Sequence, residues 1–348
     1  MSQHERRHRA QGGPHEGDGR SGFRFPDLAM PYQASCSRFI DDVRLGSLLQ
    51  AQQYAIATDE VDVRRLRRAD YGLLCSMFFS EAPLEVLALA TDWLTWTFVL
   101  DDMVSDRHQG DPSALTEVSG LVTGLTGVID DTGCARADRP MEQALADLLR
   151  RASEGADARW LDRFAGDVRA FVEGYAWEAE NLALQRIPDL VDHIQTRRQV
   201  SGAVLTLDLV ELSLGFSIPD ALYAMRPVRV LMESTADQIM HVNDVFSLQK
   251  EIAHLDWHNN VHIVTSTLGL GLQDAVDAVS RLAASQIALH EHVKAVELPR
   301  ALDRFAADAR LRQDMARWTL QLERSMAGSL LWHRETHRYH DVDLWRPA

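Results

Sequence analysis

Cysteine is scarce in this 348-residue chain: Cys36, Cys75 and Cys134 are scattered and form no Cys-x-x-Cys pair. That excludes a disulfide-stapled fold and a cysteine zinc site, and it fits a cytoplasmic location. Basic charge is short too, with 36 Lys and Arg against 51 Asp and Glu and a net charge of −15. So acidic a chain disfavours nucleic acid and anionic membrane as partners, and an anionic substrate would have to arrive with cations. No apolar run reaches the length of a membrane span, which argues against membrane insertion, period-two strand patterns are hard to find, and no repeat recurs at solenoid periods. The N-terminal stretch is polar, carries Gly13, Gly17, Gly19 and Gly22, and lacks the apolar core of a secretory signal. Residues 1–24 read as a disordered tail.

What remains is helical. Hydrophobic residues make up 46 % of the chain, enough for one large core. Leu84 to Leu100 reads as a core helix introduced by Pro83, a good first-turn residue. Met141–Ala152, Asp157–Asn181 and Leu190–Leu214 carry apolar residues at three- and four-residue spacing between turns rich in Gly, Asp or Pro. Pro219-Asp220 starts another long segment, to about His254, and three or four helices follow to Tyr339. With no linker after Phe25, residues 25–348 are expected to form one all-α bundle.

Two stretches carry chemistry. In the first, Phe98-Val99-Leu100-Asp101-Asp102-Met103-Val104-Ser105-Asp106, carboxylates crowd the end of an apolar helix, where they are costly unless hydrated or neutralised by metal. Asp41-Asp42 lacks a third carboxylate and Asp130-Asp131 runs into a Thr-Gly turn, so neither has this setting. The second stretch is Asn243-Asp244-Val245-Phe246-Ser247-Leu248-Gln249-Lys250-Glu251. Each step of four residues turns a helix by about 400°, so Asn243, Ser247 and Glu251 share one face and can converge on a Mg²⁺ ion. On its own, such a triad is an ordinary helix surface.

Asp244 and Lys250 complete a string that resembles the second metal motif, Asn-Asp-x-x-Ser-x-x-x-Glu, of the bacterial class I terpene cyclases. Asp101-Asp102 resembles their aspartate-rich motif. Arg197, 46 positions before Asn243, stands where that family has its diphosphate sensor, and Trp332 precedes Arg338-Tyr339 near the C-terminus. The resemblance spans about Phe25 to Tyr339. It implies an α-helical bundle around a central active-site cavity, with three Mg²⁺ held by Asp101, Asp102, Asp106, Asn243, Ser247 and Glu251. The departure is Ser105 in place of the third Asp; Asp106 comes one residue late and points about 140° away from Asp101 on a helix.

The resemblance further implies that Arg197, Lys250, Arg338 and Tyr339 grip the diphosphate of a prenyl diphosphate, farnesyl diphosphate foremost, whose heterolysis gives an allylic cation. In the family the second Asp often pairs with the C-terminal arginine. Phe98 and Trp332 are the expected π-faces, and Ser201-Gly202 resembles the helix break beside the sensor, which turns carbonyl oxygens toward the cation. His193, in place of a family tyrosine, reads as a surface residue. A homodimer is left open. The alternatives are a diterpene cyclase acting on geranylgeranyl diphosphate, a chain-elongating prenyltransferase, for which a second aspartate cluster is missing, and an inactive helical binding protein.

Overall fold

The computed structural model describes residues 22–107, 112–130, 137–184, 186–254 and 256–339. Among them all regular structure is helical: α1 (Ile40–Gln53), α2 (Glu60–Ala69), α3 (Tyr71–Phe78), α4 (Leu84–Arg107), α5 (Pro112–Asp130), α6 (Pro140–Ser153), α7 (Ala158–Ala183) and α8 (Leu190–Val200). There follow α9 (Ala203–Leu214), α10 (Asp220–Tyr223), α11 (Arg226–His254), α12 (Asn260–Leu268), α13 (Leu272–His292), α14 (Leu298–Arg304) and α15 (Ala309–Glu335). The starts are where side-chain chemistry puts them. Asp59, Asp189, Asn259 and Asp308 each accept backbone N–H bonds in the first turn of α2, α8, α12 and α15. No described helix is long and apolar enough to cross a membrane.

Two expected helices are each divided. Leu190–Leu214 breaks after Val200, because Gly202 takes φ 65°, a left-handed turn that ends α8 and starts α9. The segment from Asp220 stops at Tyr223 and restarts as α11, since Pro227 has no N–H to give and suits only a first turn. A π turn over Val293–Glu297 stands just ahead of Pro299 for the same reason. In the other direction, α4 runs on past Leu100 to Arg107, so Asp101 and Asp102 sit inside a helix rather than at its end.

Helix α11 lies against α13 and α15, while α4 packs on α1, α3, α6 and α9. Trp93, Trp96, Trp160, Trp318 and Trp332 are nearly fully buried. Three of these indoles cross-link elements: Trp96 Nε1 donates to the Met141 carbonyl at 3.1 Å, Trp160 Nε1 to that of Asp208 at 3.0 Å, and Trp332 Nε1 to that of Ala69 at 2.8 Å. Each satisfies its one donor while burying a large apolar face. Of residues 22–24, which the sequence reading assigned to the tail, Phe23 is buried and Arg24 exchanges two backbone hydrogen bonds with the Gln273 amide. Phe25 rests on Phe246 of α11, ring centroids 4.5 Å apart.

Candidate active site

Helices α3, α4, α7, α8, α9, α11 and α15 surround one cavity. Its depth is apolar, with Leu74, Phe78, Leu94, Phe171 and Met240 in the lining; its polar residues are Asp101 from α4, Arg197 from α8, Asn243, Ser247, Lys250 and Glu251 from α11, and Arg338 and Tyr339 after α15. The two motifs, more than 130 residues apart in sequence, therefore meet at one space.

On the α4 side the adjacent carboxylates have different surroundings. Arg338 forks onto Asp102, Nη1 to Oδ2 at 2.8 Å and Nη2 to Oδ1 at 2.7 Å, and Lys250 Nζ donates to the same Oδ1 at 2.7 Å. These cations outweigh burial and hold the Asp102 carboxyl well below the usual carboxylate range. Asp101 has only a 3.5 Å contact with Arg338, and its side chain is 41 % exposed. It is the carboxylate left open to the cavity, whereas Asp102, expected both among the metal ligands and as the partner of the C-terminal arginine, is held by Arg338 as that pairing predicts and by Lys250 as well. The side chain of Asp106 falls outside the described residues.

On the α11 side, Asn243, Ser247 and Glu251 all line the cavity, as their spacing requires. Ser247 Oγ is buried and has no hydrogen-bond partner, and burial with Asp256 and Asp244 nearby pushes the Glu251 carboxyl up to about 8. An orphaned hydroxyl beside an under-compensated carboxylate fits a divalent cation, which would satisfy both. Among the described residues no trio of His, Cys, Asp or Glu converges as a metal nest. The row presents one amide, one hydroxyl and one carboxylate instead.

Asp244, the motif residue on the other face, is fully buried and holds structure together. Its Oδ1 accepts from Arg197 Nη2 at 2.7 Å, and its Oδ2 accepts from Asn260 N at 3.2 Å and from the Asn260 amide. The Arg197 side chain is 11 % exposed and leaves Nε without a partner, as does Arg338. Two buried guanidinium groups with spare N–H donors at one cavity suit a polyanion.

Ser201 and Gly202 form the break between α8 and α9. The Gly202 carbonyl, though, accepts both N–H and Oγ1–H of Thr206, at 3.1 and 2.7 Å, so it is not free to face a cation as expected. Phe98 stacks on Tyr71 at 4.4 Å and carries the Arg338 guanidinium 4.9 Å from its centroid, and Trp332 lies 5.8 Å from Phe98. Both line the cavity. His193 is a correction: it is 1 % exposed, both ring nitrogens lack partners, and burial pushes it down to about 4, so it is a neutral interior ring.

Sequence reasoning passed over several contributors. Tyr71 accepts from Arg338 Nη1 at 2.9 Å, and Tyr175 brings a buried, unpartnered hydroxyl to the cavity. Asn259 caps α12 with its oxygen while its amide donates to the Asp244 carbonyl and to Glu251 Oε2, at 2.7 and 2.6 Å. Asn ahead of an apolar run is a helix-start signal and could have placed that cap. His333 stacks face to face on Tyr339, centroids 5.5 Å apart, and burial pushes its ring down to about 4, which leaves it neutral.

Residues 92–288 match the family model described as terpene synthase family 2, C-terminal metal binding. The chain belongs to the bacterial class I terpene synthases. The matched region is a metal-binding domain of this family, and it contains both Asp101 and Glu251. Among similar terpene synthases, pristinol synthase of Streptomyces pristinaespiralis is 29 % identical over 326 residues, 91 % of this chain and 85 % of that protein. The (+)-T-muurolol synthase ((2E,6E)-farnesyl diphosphate cyclizing) of Roseiflexus castenholzii is 30 % identical over 262 residues, 75 % of this chain and 79 % of that one. A solved hedycaryol synthase in complex with HEPES superposes with a TM-score of 0.78 at 27 % identity, covering 91 % of this chain and all of that one.

Proposed function

We propose that this terpene synthase is a Mg²⁺-dependent cyclase that ionises farnesyl diphosphate, closes the resulting carbocation into a ring and releases diphosphate. One observation carries the reading. Asp101 and the Asn243–Ser247–Glu251 row share the cavity with Arg197, Lys250 and Arg338, over a depth of aliphatic and aromatic side chains.

Asp101, Asn243, Ser247 and Glu251 are the residues that would hold Mg²⁺, three ions by the family resemblance. Bound there, Mg²⁺ spreads the charge of diphosphate and makes it a better leaving group. Arg197 and Arg338 offer their spare Nε–H donors, and Lys250 and Tyr339 stand beside them to receive the same oxygens. Asp102 keeps Arg338 and Lys250 at that position. Around the isoprenoid chain, Phe171, Tyr175, Phe98 and Trp332 exclude water and present π-density to positive charge. Bond breaking here calls for neither a nucleophile nor a general acid. Farnesyl diphosphate is placed first because a relative of comparable length is named for cyclising it.

The test is incubation of the purified chain and Mg²⁺ with geranyl, farnesyl and geranylgeranyl diphosphates in parallel, with products identified by gas chromatography and mass spectrometry. A cyclic fifteen-carbon hydrocarbon or alcohol is expected. With isopentenyl diphosphate added as co-substrate in a second set, a linear diphosphate of greater length as the sole product would make the chain a prenyltransferase; a cyclic twenty-carbon product alone would make it a diterpene cyclase.

A further inference from the structure

The Asn243 side chain is useful to a metal only when its carbonyl oxygen, not its NH₂, faces the metal side, and an amide can turn either way round. The groups on either side decide this one. His333 Nδ1 lies 2.7 Å from the Ser329 carbonyl, which can only accept, so the ring proton is on Nδ1. In the neutral ring Nε2 is then a lone pair, and it lies 3.1 Å from Asn243 Nδ2. Tyr339 Oη accepts from the same Nδ2 at 2.9 Å. Across the amide, Arg197 Nη2, a pure donor, faces Oδ1 at 3.3 Å.

We propose that His333 is a positioning residue: from the backbone of α15 it fixes which way the Asn243 amide faces, and so keeps a carbonyl oxygen in the row with Ser247 and Glu251. The chain of control starts at a main-chain carbonyl and passes through one tautomer. His333 is 3 % exposed and is clasped between Tyr339, stacked on it, and Phe246, 5.2 Å from it, so the ring holds still enough to do this. Ser329 Oγ, 3.3 Å from Nδ1, is a second polar neighbour on the proton-bearing side. This inference rests on the metal-dependent reading above.

The experiment uses inorganic diphosphate with MgCl₂ and isothermal titration calorimetry, which reads metal-dependent anion binding without turnover. His333→Phe keeps the ring stack and removes the acceptor; losing one net hydrogen bond is expected to raise the half-saturating Mg²⁺ concentration about tenfold. His333→Gln, whose Oε1 reaches the Nε2 position, is expected to stay within about threefold of the unaltered chain. In an Asn243→Asp background the carboxylate has no wrong way round, so His333→Phe should weaken binding no further, a non-additivity that a merely structural role would not give.

Thermal melts establish that each variant is folded, and if His333→Phe does not fold, His333→Gln decides alone. Equal Mg²⁺ demand in the unaltered chain and His333→Phe, a tenfold loss in His333→Gln, or an undiminished loss in the Asn243→Asp background would each overturn the positioning role. If the unaltered chain showed no Mg²⁺-dependent diphosphate binding, the functional reading itself would fall.

Discussion

Replacing Asp244 by Asn tests whether the motif's second residue works as an anchor. The substitution keeps size and shape but turns one carboxylate oxygen into NH₂. Both oxygens are in use, one by Arg197 and the other by Asn260, and every one of those contacts is a donor. Whichever way the new amide turns, it meets a donor with a donor, and it leaves the Arg197 guanidinium, 11 % exposed, without its counter-charge. Breaking one side of a buried ion pair costs about 3–5 kcal/mol. With an unfolding entropy of about 2.1 cal/mol/K per residue, a chain of this length loses about 0.7 kcal/mol per degree, so Tm should fall by about 4–7 °C. Differential scanning calorimetry reads that shift. Turnover should fall with it, because Arg197 loses its placement and Asn260 its carboxylate partner. An unchanged Tm together with full turnover would refute the anchoring argument.

Asp101→Ala, Asn243→Ala and Glu251→Ala should each abolish or severely reduce product formation while circular dichroism stays helical; a normal rate in any of them would remove that residue from the metal site. Arg338→Lys keeps charge but cannot span both oxygens of Asp102 and the Tyr71 hydroxyl, so kcat/KM in steady-state assays should drop about tenfold or more. Gly202→Ala puts a Cβ at φ 65° and 3.3 Å from Phe171, which should lower the melting temperature by about 1–3 °C for a backbone penalty of about 1–2 kcal/mol. Burial pushes Glu178 and Glu211 up to about 7 and Glu251 up to about 8. Acids with a raised folded pKa stabilise fully below their unfolded value and lose that contribution as pH climbs through the folded one, so the metal-free protein should melt lower at pH 8.5 than at pH 6.5. His193, His290 and His333, pushed down to about 4, are neutral in the folded state but about half protonated in the unfolded state at pH 6.5, so they offset only part of the loss.

The parts of the site that rest on helical period were readable in the sequence. Asn243, Ser247 and Glu251 come together because 3.6 residues per turn brings them together, and the glycine in Ser201-Gly202 marked a real break. Proline was the signal least exploited: Pro227 and Pro299 each disturb helical continuity where apolar spacing alone runs on. What spacing could not supply was the choice between neighbours that differ only in their partners. Asp101 and Asp102 are adjacent and chemically identical, and the forked arginine that separates their roles arrives from more than 230 residues away. The polarity of a position is also no guide to depth, as His193 demonstrates: a histidine among charged neighbours in α8 faces inward because α8 packs on α7 and α12.

The aromatic contact between Phe25 and Phe246 bears on how the gene is cloned. Phe246 belongs to the same helical turn as Asn243 and Ser247 but does not line the cavity and meets the N-terminal arm instead, so that arm braces the helix that carries them. Shortened versions begun at the first helix, a natural choice for crystallisation, would strip the brace off. Their weak activity would then be a cloning artefact rather than a property of the enzyme, and affinity tags belong ahead of the arm rather than in its place.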